Sequence, residues 1–155
     1  METAAHQSNL AEIAAGTAAQ NEASSEDVRR LGAMFIEMPT ALDADLTAAA
    51  QQLGVSLPAA PSPEQQAQLN SVTANDGAAF DTAWIAQQLG SHSTSDANSQ
   101  RELAEGEDPA VLALTRAAAL VIQQHLTHSQ ACGPCRRESS PARAAAPLLY
   151  SAHSP

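Results

Sequence analysis

The chain has 155 residues and a formal net charge of −10, carried by 17 acidic side chains against seven arginines, with no lysine. That acidity argues against a phosphate-tracking surface, because Arg29–Arg30 and Arg136–Arg137 are too short to line a groove, so no nucleic-acid partner is expected. Abundant alanine and an aromatic content of 3% favour closely packed helices over a sheet, and the length suits one ordinary domain.

The first helix is expected over about 2–20, with His6 in register with Leu10, Ile13 and Thr17. A turn at 21–25 follows, and Ser24 with Asp27 is the expected cap of the second helix. The stripe Val28, Leu31, Phe35, Met38, Leu42, Ala49 and Leu53 then runs to a stop at Gly54. Pro39 lies inside this helix, where a proline costs roughly 3 kcal/mol unless a kink relieves it. Pro58, Pro61 and Pro63 make 54–62 an extended connection. Ser62-Pro63-Glu64-Gln65 is a capping box with proline in the first turn, opening a short third helix over 63–74.

The fourth helix carries Phe80, Trp84, Ile85 and Leu89, followed by His92. Its run Gly90-Ser91-His92-Ser93-Thr94-Ser95 is rich in poor helix formers and is expected to fray or bend. Gly106 breaks the chain, and Asp108-Pro109 starts a fifth helix reaching about Ser129. On it, His125 continues the stripe Leu114, Ala118 and Val121. Beyond residue 130 proline, serine, alanine and arginine dominate without periodicity. The expected division is therefore a helical domain over 2–130 and a disordered tail over 131–155, with one apolar island at Leu148-Leu149-Tyr150.

These elements predict an all-α, antiparallel four-helix bundle with one short extra helix. Leu10, Ile13, Leu31, Phe35, Leu42, Trp84, Ile85, Leu114, Val121 and Ile122 are its expected core. No apolar run is long enough to span a bilayer, and no basic-then-apolar leader opens the chain, so the sequence as written reads as cytoplasmic. A monomer or weak homo-oligomer is expected.

Histidines aimed into a helical interior are either satisfied core residues or metal ligands. His6, His92 and His125 could converge on zinc, copper or iron, although no carboxylate partner is evident from their spacing. Glu12, Glu37, Asp43 and Asp45 read instead as solvated faces. A second set, His128 with Cys132 and Cys135, adds chelating residues next to His125. There the two-residue gap between cysteines suits zinc or copper, or a local disulfide. Cys132-Gly-Pro-Cys135 lies past a helix end rather than at a helix start, which argues against thioredoxin-like redox chemistry. No glutamate has a histidine three residues later, as a di-iron carboxylate site requires. Nucleophile elbows and phosphate loops are also lacking, so no catalytic set is expected.

The stretch His6-Gln7-Ser8-Asn9-Leu10-Ala11-Glu12-Ile13-Ala14-Ala15-Gly16, together with Ser25-Glu26-Asp27-Val28-Arg29 and Gly54-Val55-Ser56-Leu57-Pro58, resembles a known bacterial family. Phe80-Asp81 and His125-Leu126 extend the likeness to about residues 2–130. The family is the ferritin-like "domain of unknown function 4142". The resemblance implies an exported helical bundle without established activity, bearing an Asp-His pair late in the second helix and histidines in the fourth and fifth. His92 and His125 match the latter two, whereas Met38-Pro39 stands where the Asp-His pair is expected. Relatives typically start with a secretion signal, so Met1 inside the first helix suggests a truncated or misassigned start, with a periplasmic or secreted location expected if it is truncated. The reading that follows is a non-enzymatic bundle, as a stress-related or interaction module, with a metal-binding protein as the alternative.

Overall fold

The computed structural model describes residues 2–132, the side chain of Glu2 excepted. The expected tail disorder and Cys135 lie outside the described residues. Five helices follow in order: α1 (Glu2–Glu22), α2 (Glu26–Gln52), α3 (Pro63–Thr73), α4 (Gly77–Glu105) and α5 (Pro109–Ala131), with no strand among the described residues. The all-α class is thus as the composition implied. α1 packs along α2 and α4 along α5, while α3 lies against α1 and α4.

The close approach of α1 to α2 depends on glycine. A Cβ on Gly16 would sit 2.6 Å from the Gly32 carbonyl oxygen, and one on Gly32 would sit 2.7 Å from the Ala19 Cβ. Any larger side chain forces the two backbones apart. The buried face of α1 is accordingly Ala15, Gly16 and Ala19, continued by Ala23 just past its end, with His6 toward its start. The stripe expected from hydrophobicity is displaced: Leu10 and Ile13 are half-buried and Thr17 is exposed. Small residues win the interface because they permit the approach, which a count of large apolar residues does not register.

Capping also departs from expectation in one place. Ser25 is the N-cap of α2 and makes no side-chain cap hydrogen bond. Buried Asp81 of α4 takes over, accepting from Ser24 N at 3.0 Å, Ser25 N at 2.8 Å and Ser24 Oγ at 2.5 Å. A carboxylate at this end complements the helix dipole and fixes α4 to the α1–α2 turn. The other stops and starts are as read from sequence. Ser62 and Gln65 form the reciprocal capping box of α3, and Asp108 accepts from Ala110 N and Val111 N at the start of α5. Gly54, at φ +67°, ends α2 in a Schellman arrangement, with Val55 N bonded to Ala50 O and Gly54 N to Gln51 O.

Neither of the two weak points interrupts its helix. α2 continues through Pro39, which is fully buried, and α4 continues through the serine-rich run at 90–95. There, Ser93 Oγ and Thr94 Oγ1 donate back to the carbonyls of Leu89 and Gly90, absorbing the hydroxyls that would otherwise compete with the helix.

The core is concentrated toward one end. Val28, Leu31, Phe35, Val72, Phe80, Trp84 and Ile85 form a dense cluster, and Trp84 donates from Nε1 to the Ala15 carbonyl at 2.8 Å. Of the expected core, Leu31, Phe35, Trp84 and Ile85 are buried; Leu10, Ile13, Leu42, Leu114, Val121 and Ile122 are only half-buried. For Leu42, Leu114, Val121 and Ile122 the reason is spatial: they line a cavity of about 520 Å³ at the other end.

Candidate metal centre

Where the dense cluster meets the cavity, α1, α4 and α5 bring three polar side chains together. Glu12 Oε1 lies 2.9 Å from His92 Nε2 and 2.5 Å from His125 Nδ1, and the two ring nitrogens are 3.0 Å apart. This is the one group of three potential ligands found among the described residues. His92 is 5% exposed and His125 fully buried. α2 closes one side with Phe35, whose ring centroid lies 4.2 Å from that of His125 and 4.9 Å from that of His92.

The hydrogen bonds fix much of the protonation. His92 Nδ1 faces the Gln88 carbonyl at 2.8 Å, which can only accept, so this nitrogen donates. Nε2 is thereby the nitrogen offered to the cluster. Burial pushes the His92 pKa down, but the hydrogen bond and charge of Glu12 outweigh it, and the net shift is upward. Burial likewise disfavours the Glu12 carboxylate, yet hydrogen bonds from His125 and His92 and their charge bring its pKa below the ordinary value. Each group thus favours the charged form of the other.

The same atoms fit a metal ion. Two imidazoles and one carboxylate are a donor set used for zinc and for ferrous iron. Ligands about 2.0–2.1 Å from a tetrahedral ion stand about 3.3 Å apart, so two edges of the triangle need to open by a few tenths of an ångström and the Glu12–His125 edge, at 2.5 Å, by about 0.8 Å. The Gln88 carbonyl holds His92 in the tautomer that presents a lone pair. His125 is less well supported. As a ligand through Nδ1 it carries its proton on Nε2, a buried atom without a hydrogen-bond partner among the described residues. An unpaired buried donor costs about 1–3 kcal/mol, which weakens binding about 5- to 150-fold.

The remaining candidates lie apart from this group. His6 faces Asp43 Oδ1 at 2.7 Å through Nδ1 and the Pro58 carbonyl at 2.9 Å through Nε2. It thus ties α1 to α2 and to the proline-rich connection. His128 is exposed, with Nδ1 2.7 Å from the Gln124 carbonyl. Cys132 is buried with the dense core.

Sequence reasoning missed the carboxylates. Glu12 and Asp43 were expected on solvated faces, but each meets a histidine. The usable signal was Glu12's register with Ala15 and Ala19, the buried alanines of α1.

Among the described residues no helix is long and apolar enough to cross a membrane. No curated protein and no solved structure matches the chain. The family model described as "Domain of unknown function (DUF4142)" matches residues 2–132, and the chain belongs to that family.

Proposed function

We propose that this protein binds one divalent transition-metal ion through His92, His125 and Glu12. The observation that carries the reading is the convergence of three ligand atoms within 3.0 Å of one another in a buried setting. A second support is that Glu12 and His92 also line the cavity while Phe35 covers the far side, so a fourth ligand position is reached from the cavity. Three protein ligands with an accessible fourth position distinguish exchangeable sites from closed structural ones. The frame is read as a ferritin-like antiparallel four-helix bundle over about 2–130. Contacts of Phe35 with His125, and of Glu12 with His92, agree with that topology.

The test is elemental analysis of the purified full-length chain after incubation with zinc, copper or ferrous iron and removal of excess metal. One equivalent is expected in the wild type and in a Cys132→Ser, Cys135→Ser double variant, and a loss in His92→Ala, His125→Ala. Metal that disappears with the cysteines and survives loss of the histidines places binding on the tail. Absence of metal from every form leaves a scaffold or interaction module as the function.

A further inference from the structure

The cavity at the open end has both apolar and polar residues in its lining. On one side α5 and α2 supply Val111, Leu114, Val121 and Leu46, an apolar wall whose spacing on α5 keeps to one face. α4, which packs along α5, adds Ser91, Ser95 and Ser99 to the same lining at intervals of four, a ladder of hydroxyls. The inner end carries Glu12 and His92. Glu102 and Glu105 stand in the lining at the C-terminal end of α4, with Arg101 the only cationic side chain beside them. The end of α4 adds partial negative charge beside these carboxylates, the starts of α1 and α5 bring partial positive charge to the same cavity, and the whole chain is acidic at −10.

Apolar residues in an amphipathic stripe normally bury against one another. Here Leu114, Val121 and Ile122 remain half-exposed, facing about 520 Å³ of space. A cavity of about 150 Å³ accommodates benzene, so this one holds a molecule of roughly twenty non-hydrogen atoms, within the ordinary range for small-molecule sites.

We infer that the cavity binds an amphipathic organic cation. Its apolar body lies along the α5–α2 wall and its hydrogen-bonding edge along the serines. Its ammonium group lies among the carboxylates at the C-terminal end of α4. Organic anions of the same length are disfavoured by Glu102 and Glu105, and uncharged molecules gain the wall and the serines but not the carboxylates. The site does not depend on a metal ion, although an occupant covers the approach to Glu12 and His92.

Calorimetric titration of chelator-treated full-length protein separates this inference from the metal reading. The probes are decyltrimethylammonium, decanol and decanoate, each below its aggregation concentration. Saturable one-to-one binding of the cation is expected, at least tenfold tighter than that of decanoate. Glu102→Gln with Glu105→Gln should weaken the cation about tenfold and leave decanol unchanged. Ala118→Phe, which fills the cavity, should abolish binding of all three probes, with helix content by circular dichroism reporting that the variant folds. Should that variant misfold, Leu114→Asn, which interrupts the apolar wall, should still weaken both the cation and decanol. Equal affinity for decanoate, retention of binding in folded Ala118→Phe, or no saturable binding of the cation overturns the proposal. None of these outcomes touches the metal reading, because no metal is present in the titration.

Discussion

The two ends of this helical protein are built from different materials. Toward the α1–α2 turn, Phe35, Phe80, Trp84 and Ile85 are fully buried, Gly16 and Gly32 let two helices touch, and Asp81 fastens α4 to the turn. Toward the opposite end, side chains of comparable hydrophobicity on α2 and α5 stay half-exposed around a cavity. Glu12, His92 and His125 sit at the boundary, with an aromatic ring on one side and open space on the other. Stability is thus concentrated where the ligand atoms must be held, and space is left where a ligand or metal must enter.

Core truncation breaks this contrast most strongly. Phe35→Ala or Trp84→Ala should cost about 3–5 kcal/mol, whereas Leu114→Ala at the cavity wall should cost about 1 kcal/mol, since much of its surface already meets solvent. Urea unfolding of the three variants compares them; equal losses would mean that the ends are equally packed. Asp81→Ala should follow, at about 2 kcal/mol, because a buried carboxylate accepting from two backbone amides and a hydroxyl is removed. A loss under half that value would show that water replaces the carboxylate.

Pro39 sharpens the boundary between the ends. It is buried one turn beyond Phe35 on the same face of α2, and Phe35 covers both cluster histidines. Pro39→His should restore a backbone donor, recovering up to about 3 kcal/mol. It should also strengthen zinc binding about tenfold by supplying the histidine expected from the family resemblance. Melting curves with and without zinc test both effects, and a variant that gains neither shows that position 39 does not reach the cluster.

The smallest effect is on pH dependence. The raised His92 pKa contributes stability that is present below its ordinary 6.5 and is lost as pH rises through the raised value. The lowered Glu12 pKa contributes stability present above its ordinary 4.5 and lost as pH falls through the lowered value. Both contributions are complete between 4.5 and 6.5, so the cluster stabilises metal-free protein most in that interval. Glu12→Gln should flatten both limbs of the melting-temperature profile. Metal binding should run the other way, improving as pH rises and His92 releases its proton.

Much of the fold was legible from the amino-acid pattern. The stripe through Leu31 and Phe35, the Ser62–Gln65 capping box, the Gly54 stop and the Asp108-Pro109 start all rest on local rules. His92 and His125 were also found, because imidazoles in a helical stripe stand out. The Glu12 contribution was not, since an acidic residue among alanines reads as a solvated face until the helix partners are known. Asp81 escaped for the same reason: its partners lie 56 and 57 residues away in sequence. The continuity of α4 through Gly90–Ser95 was misread because propensity is local, whereas that segment is held by packing of His92 on one face and by hydroxyl-to-carbonyl bonds on the other.

X-ray absorption spectroscopy of the zinc-loaded, full-length protein tests the central claim most directly. The account predicts one equivalent of zinc in a shell of nitrogen and oxygen at about 2.0–2.1 Å, with the scattering pattern of two imidazoles and no sulfur. A sulfur shell at about 2.3 Å, or protein that retains no zinc, would contradict it.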